Sequence, residues 1–168
     1  MPDRDAPAPA PLSASEEDFL RAFARISISL TRTLEADLLR DQRLTLSDYF
    51  TLMHLSEAED RRLRMSDLAA AGALSLSGMT RIVQRLEAAG LVRRERSAED
   101  ARGWHAVLTD AGMERLEQAW PDHLASVRRH LFDHLGGVDL GPLTLALQSA
   151  AADSGNAIQC ADEGASPA

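Results

Sequence analysis

The sequence predicts a mostly α fold with a small β-hairpin wing (α+β), and three observations carry that prediction. Apolar residues recur at helical spacing through a long segment towards each end; two short serine-capped helical segments lie between them; and one stretch alternates like a pair of strands. From Ser15, the residues Phe19, Phe23, Ile26, Leu30, Leu34 and Leu38 follow at intervals of four, three, four, four and four, which defines one long amphipathic helix. Ser47, after "RLTL", is placed to cap a second helix in which Phe50, Met53 and Leu55 face inward. Ser66 or its neighbour opens a short third helix, "SDLAAA", that ends near Gly72. Ser75 caps a fourth, "LSGMTRIVQRLEAA", which turns Met79, Ile82, Val83 and Leu86 to one side and stops at Gly90. Two short helices joined by a tight turn form a helix-turn-helix pattern.

"LVRRER" and "WHAVLT" read as two short strands joined by the loop "SAEDARG". Thr109 then caps a long fifth helix with a stripe of Leu116, Trp120, Leu124, Val127, Leu131 and Leu135, closed by Gly136-Gly137. Asp139 is placed to cap a last helix with Pro142 in its first turn. Residues 1–14 and 153–168 have the composition of disordered tails. The folded unit is therefore expected over 15–152, with a winged helix-turn-helix at about 44–108 between dimerisation helices at 15–40 and 109–152. The terminal stripes are longer than so small a centre can cover, and the simplest partner for them is a second copy of the chain.

A chain of 168 residues that is 45% hydrophobic can build its own core. Its single cysteine, Cys160, excludes an intrachain disulfide and fits a reducing, cytoplasmic setting. The acidic, Ala/Pro-rich start is no export signal, and no apolar run reaches the roughly 18 residues of a membrane span. The formal net charge is −8, which alone argues against a nucleic-acid partner. Its distribution reverses the argument. Between Arg61 and Trp104 nine arginines face five acids, a local +4 that leaves −12 on the remainder. All 18 basic residues are arginine, the better fork for phosphate and guanine.

The fourth helix supplies Ser75, Ser77, Gly78, Thr80, Arg81, Gln84 and Arg85 as candidate DNA contacts. Arg pairs bidentately with guanine and Gln with adenine, while serines and free amides at a helix start suit phosphate. Ser66 in the preceding helix and Arg96 on the first wing strand extend the set. Taken alone, such a face is equally that of a solvated helix. The hairpin narrows the choice: Arg102 at its tip can enter a narrow minor groove, Asp100 can orient it, and Gly103 permits the turn.

Leu44 to Gly112 strongly resembles the MarR family of winged helix-turn-helix transcription regulators, through "RMSDLA", the run from Ser75 to Arg94 and "DARG…LTDAG". The resemblance implies a homodimer held by its terminal helices and bound to a palindromic operator in double-stranded DNA. Family members are usually repressors released by small molecules, often phenolic or aromatic acids. It places the base- and phosphate-contacting helix at Ser75–Arg85 and the wing arginine at Arg102. Two positions depart from the pattern. Leu76 stands where many relatives carry Arg, which removes one backbone contact, and Ala73 stands where the turn often has Gly.

Tyr49, Met53 and His54, with Phe50, are the candidates for an effector site, His54 and Tyr49 having polar handles for a carboxylate or phenol. His123, His130 and His134 lack a completing ligand and read as solvated histidines, so no metal or cofactor is expected. Cys160 lies in the tail without a basic neighbour to activate it, and Trp104 is expected to pack against the domain. No nucleophile–base pair or phosphate loop suggests an enzyme. The expected function is a homodimeric DNA-binding repressor; the alternative is a ligand- or protein-binding module that keeps the fold without specific DNA recognition.

Overall fold

The computed structural model describes residues 10–96 and 103–163, with side chains described as far as 152. Helix α1 (Ala14–Gln42) starts from a capping box in which Ser13 Oγ accepts the Glu16 amide and the Glu16 carboxylate accepts the Ser13 amide. It ends at Arg43, in the left-handed region at φ 50°. Helix α2 (Leu46–Glu57) is capped by Thr45, not by Ser47: Thr45 Oγ1 accepts the Asp48 amide at 3.1 Å. Ser47 already lies inside the helix, where its carbonyl takes the Thr51 hydroxyl at 2.7 Å.

Strand β1 (Arg62–Arg64) precedes α3 (Met65–Ala71) and α4 (Leu76–Ala88). Strands β2 (Val92–Arg96) and β3 (Trp104–Leu108) form the hairpin, followed by α5 (Asp110–His130) and α6 (Leu140–Glu163). The sequence pattern names two strands; the sheet has three, in the antiparallel order β1-β3-β2. Its registers pair Leu63 with Ala106, Arg94 with Ala106 and Arg96 with Trp104. At three residues β1 is too short to show alternation, and it is recruited by the free edge of β3.

The turn between α3 and α4 settles the question raised by Ala73, which adopts φ 50°. Gly72 is needed next to it for space, since a Cβ there would meet Met79 Cε at 3.1 Å. A left-handed alanine is strained, so Ala73→Gly is expected to raise stability by about 0.5–1 kcal/mol in urea unfolding, the relief of strain exceeding the added chain entropy.

The core is shared by α1, α2, the helix-turn-helix, the sheet and α5 as far as Val127, with Leu38, Tyr49, Leu52, Leu55, Leu68, Met79 and Val83 at its centre. α5 buries Gly112, Leu116, Ala119, His123 and Ser126. That face only partly matches the predicted stripe, because Trp120 is 49% exposed and Leu124 is also uncovered. The helix stops at His130, before the Gly136-Gly137 pair, with a short 3-10 turn at Phe132–His134. α6 runs to Glu163, past residue 152 where composition places the end of the domain, and Asp139 accepts the Gly141 amide at its start. Among the described residues no helix is long and apolar enough to cross a membrane.

Two of the three histidines also differ from the solvated reading, while His134 is exposed as expected. His130 Nε2 lies 3.3 Å from Asp37 Oδ2, and His123 is buried with its ring 4.3 Å from that of Tyr49. Ser126 Oγ donates to Asp37 at 2.5 Å; this bond first, then that from Arg40, holds the carboxyl below its usual range. Burial lowers the His123 pKa and is the main cause that pushes the Tyr49 phenol up to about 12. A histidine that resists its proton when folded binds fewer protons than in the unfolded chain. Stability contributed by neutral His123 is thus complete above the unfolded pKa near 6.5 and falls as pH drops below it. Chemical unfolding at stepwise lower pH should show this decline in the native chain, and His123→Phe should remove that part of it.

Candidate nucleic-acid interface

Ser75 begins the interface by capping α4: its hydroxyl accepts the Gly78 amide at 3.1 Å. Met79, Ile82, Val83 and Leu86 then lock one side of α4 into the core, which turns Ser77, Arg81 and Gln84 to solvent on the other. These three form the outer face that the sequence reading requires. Thr80 is half-buried, and its hydroxyl is committed to the Leu76 carbonyl at 2.7 Å. Ser66 is exposed at the second position of α3, with its hydroxyl directed to Asp67 at 3.2 Å.

Arg85 has a different job from its neighbours. Its guanidinium grips the buried Asp48 carboxylate of α2 at 2.6 and 3.2 Å, tying α4 to the scaffold. The pairing joins residues 37 positions apart, and helical periodicity carries no signal for it.

At the base of the wing, Trp104 is 42% exposed where packing against the domain was expected. The guanidinium carbons of Arg94 and Arg96 lie 5.7 and 5.4 Å from its ring centroid, so the indole serves as a platform for cations. Arg94 also bonds Glu87 at 2.8 Å, while Arg96 is exposed. Asp100 and Arg102 lie outside the described residues.

The three candidate effector residues do not share one site. Tyr49 is fully buried against His123, and Met53 is half-buried against the core. His54 does line an open cleft of about 400 Å³ between α1, α2 and the helix-turn-helix, together with Arg32, Glu35, Phe50, Leu74 and Met79.

A short helix pair, of which only the outward second helix carries a side-chain cap, a three-stranded sheet ending in a hairpin, and long flanking helices make up a winged helix-turn-helix protein. Residues 44–103 match the MarR family profile. AbsC from Streptomyces coelicolor, a MarR family transcriptional regulator of solved structure, is 42% identical; the match covers 86% of this chain and 97% of that one, with a TM-score of 0.78. Sco3205 from the same organism, a MarR family transcriptional regulator solved in complex with DNA, is 32% identical over 97% of this chain and 95% of that one, with a TM-score of 0.73. The chain therefore belongs to the MarR family of transcriptional regulators. The HTH-type transcriptional repressor YetL of Bacillus subtilis is 34% identical over 76 residues, which are 45% of this chain and 46% of YetL. The transcriptional repressor MprA of Escherichia coli is 31% identical over 84 residues, 50% of this chain and 48% of MprA. The chain spans about half the length of these curated relatives.

Proposed function

We propose that the chain is a homodimeric, sequence-specific regulator that binds double-stranded DNA through α4 and the wing. The observation that carries this reading is the outer face of α4, where Arg81 and Gln84 stand exposed on a helix whose other side is fixed by the core and by Arg85. Arg81 and Gln84 read base edges; Ser66, Ser75, Ser77 and the Gly78 segment approach phosphate; Arg96 flanks the wing. Arg102 is assigned to the minor groove with Asp100 orienting it, on the motif alone.

The dimer is supported by apolar surface that the chain leaves open. Phe19, Leu20, Phe23 and Ile26 on α1, Trp120 and Leu124 on α5, and Leu145 and Leu147 on α6 are all exposed. A second copy would cover them and set two recognition helices roughly 34 Å apart, so the operator is an inverted repeat with half-sites about one helical turn apart. Relatives named as repressors support repression by operator occupancy. The cleft beside His54 and Arg32 offers apolar walls with these two as handles for a carboxylate or phenol, the neighbouring Glu35 carboxylate being held by the Leu46 amide, a fit for an aromatic or phenolic acid. An effector favouring one spacing of the two lobes would shift the population away from the DNA-competent one.

The rival reading, a binding module without DNA recognition, draws on Leu76 and the acidic balance outside the basic strip. Fluorescence anisotropy with a pool of duplex fragments separates the two. The regulator binds a subset selectively and weakens steeply as salt rises; absent or salt-insensitive binding by the intact dimer would sink it.

A further inference from the structure

We infer that Leu76 reads the 5-methyl group of a thymine in each operator half-site. The inference rests on the DNA-binding reading above and names a base feature that reading leaves open. Leu76 is the first residue of α4 and is 54% exposed, so its side chain is not part of the core that holds the helix. It lines a cleft of about 270 Å³, between the starts of α3 and α4 and the base of the wing, that also includes Ser66, Thr80, Arg94 and Trp104.

The hydroxyls and arginines beside this leucine suit a polyanion. Ser75 and Ser77 flank it with their hydroxyl oxygens 3.1 Å apart, Arg81 is exposed five residues further along α4, and Arg94 and Arg96 stand over the Trp104 ring. A bare aliphatic side chain at the centre of such a face gains nothing from phosphate. Among the base edges of the major groove, the duplex presents one methyl group, that of thymine. The first residues of a recognition helix are those that approach base edges most closely, and Leu76 is there. Where a cation would add sequence-independent affinity, Leu76 adds a contact that only one base can satisfy.

The test uses the full chain and a consensus duplex enriched by it from a random pool. Each thymine is replaced in turn, symmetrically in both half-sites, by deoxyuridine, which lacks only the methyl. Binding by the native chain is expected to fall about fourfold per half-site at one position and to stay level at the others. Leu76→Ala should bind the thymine and deoxyuridine duplexes equally, and 5-methylcytosine in place of cytosine at that position should recover affinity for the native chain alone. A consensus with no methyl-sensitive position, as a contact with deoxyribose would give, overturns the inference and leaves DNA recognition standing. So does a methyl effect that persists in Leu76→Ala. Failure to enrich any consensus overturns the DNA-binding reading, and the inference with it.

Discussion

Gly112→Ala is expected to cost about 3 kcal/mol or more and to lower the thermal unfolding midpoint by about 10 °C, without any change in the residues that would meet DNA. A Cβ at this position would lie 2.1 Å from the Leu91 carbonyl oxygen, 2.7 Å from Leu108 Cδ1 and 3.0 Å from the Leu91 carbonyl carbon. Two of those atoms are backbone and cannot rotate away. The same oxygen accepts the Thr109 amide at 3.1 Å and the Thr109 hydroxyl at 3.0 Å, while that hydroxyl receives the Gly112 amide at 3.0 Å. Forcing α5 off Leu91 therefore breaks the α5 cap and the joint between the end of α4, the wing and α5 together. Circular dichroism against temperature measures the effect. A midpoint within about 2 °C of the native chain would show that the joint yields at little cost.

This joint also shows what the sequence makes legible. Thr109 as a cap and Gly90 as a stop follow from local rules, since each satisfies backbone groups within a few residues, and both are where those rules place them. Ser75 and the buried side of α4 are legible for the same reason: four apolar residues at helical spacing allow one inward face. Thr45 and Ser47 are a harder pair, because both are capping residues and only the end geometry of α1 and the following loop selects the first. The Glu35 carboxylate, which accepts the Leu46 amide at 2.5 Å, helps to fix that geometry from another helix. Strand β1 and the Asp48–Arg85 pair depend wholly on partners distant in sequence. The α5 stripe misleads for a related reason: periodicity shows that a face is apolar but not which part of it the same chain covers, and Trp120 and Leu124 stay open.

Arg81→Ala should cut sequence selectivity sharply, to what Gln84 and Leu76 still supply, while leaving stability within about 0.5 kcal/mol of the native chain. Arg81 is exposed and has no ion pair among the described residues, so its removal strands no buried group. If it grips a guanine in each half-site, its loss costs about 1–3 kcal/mol per half-site, and the dimer loses on the order of a thousandfold in preference for its operator over random duplex. The salt dependence should change little, because the other basic groups still meet phosphate. Arg85→Ala, one helical turn away, should behave in the opposite sense. It leaves the Asp48 carboxylate buried without its guanidinium and costs about 2 kcal/mol of folding stability, reduced from a fully buried pair because the Arg85 side chain is half exposed. Selectivity among the folded Arg85→Ala dimers should survive. Urea unfolding and anisotropy, run on both variants, separate the roles in four measurements. Were Arg85→Ala to lose selectivity at full stability and Arg81→Ala to lose stability instead, the division of α4 into a reading side and an anchoring side would be wrong. The two arginines lie four residues apart on one short helix and have the same chemistry in the sequence; a single buried aspartate on α2 is what assigns them different work.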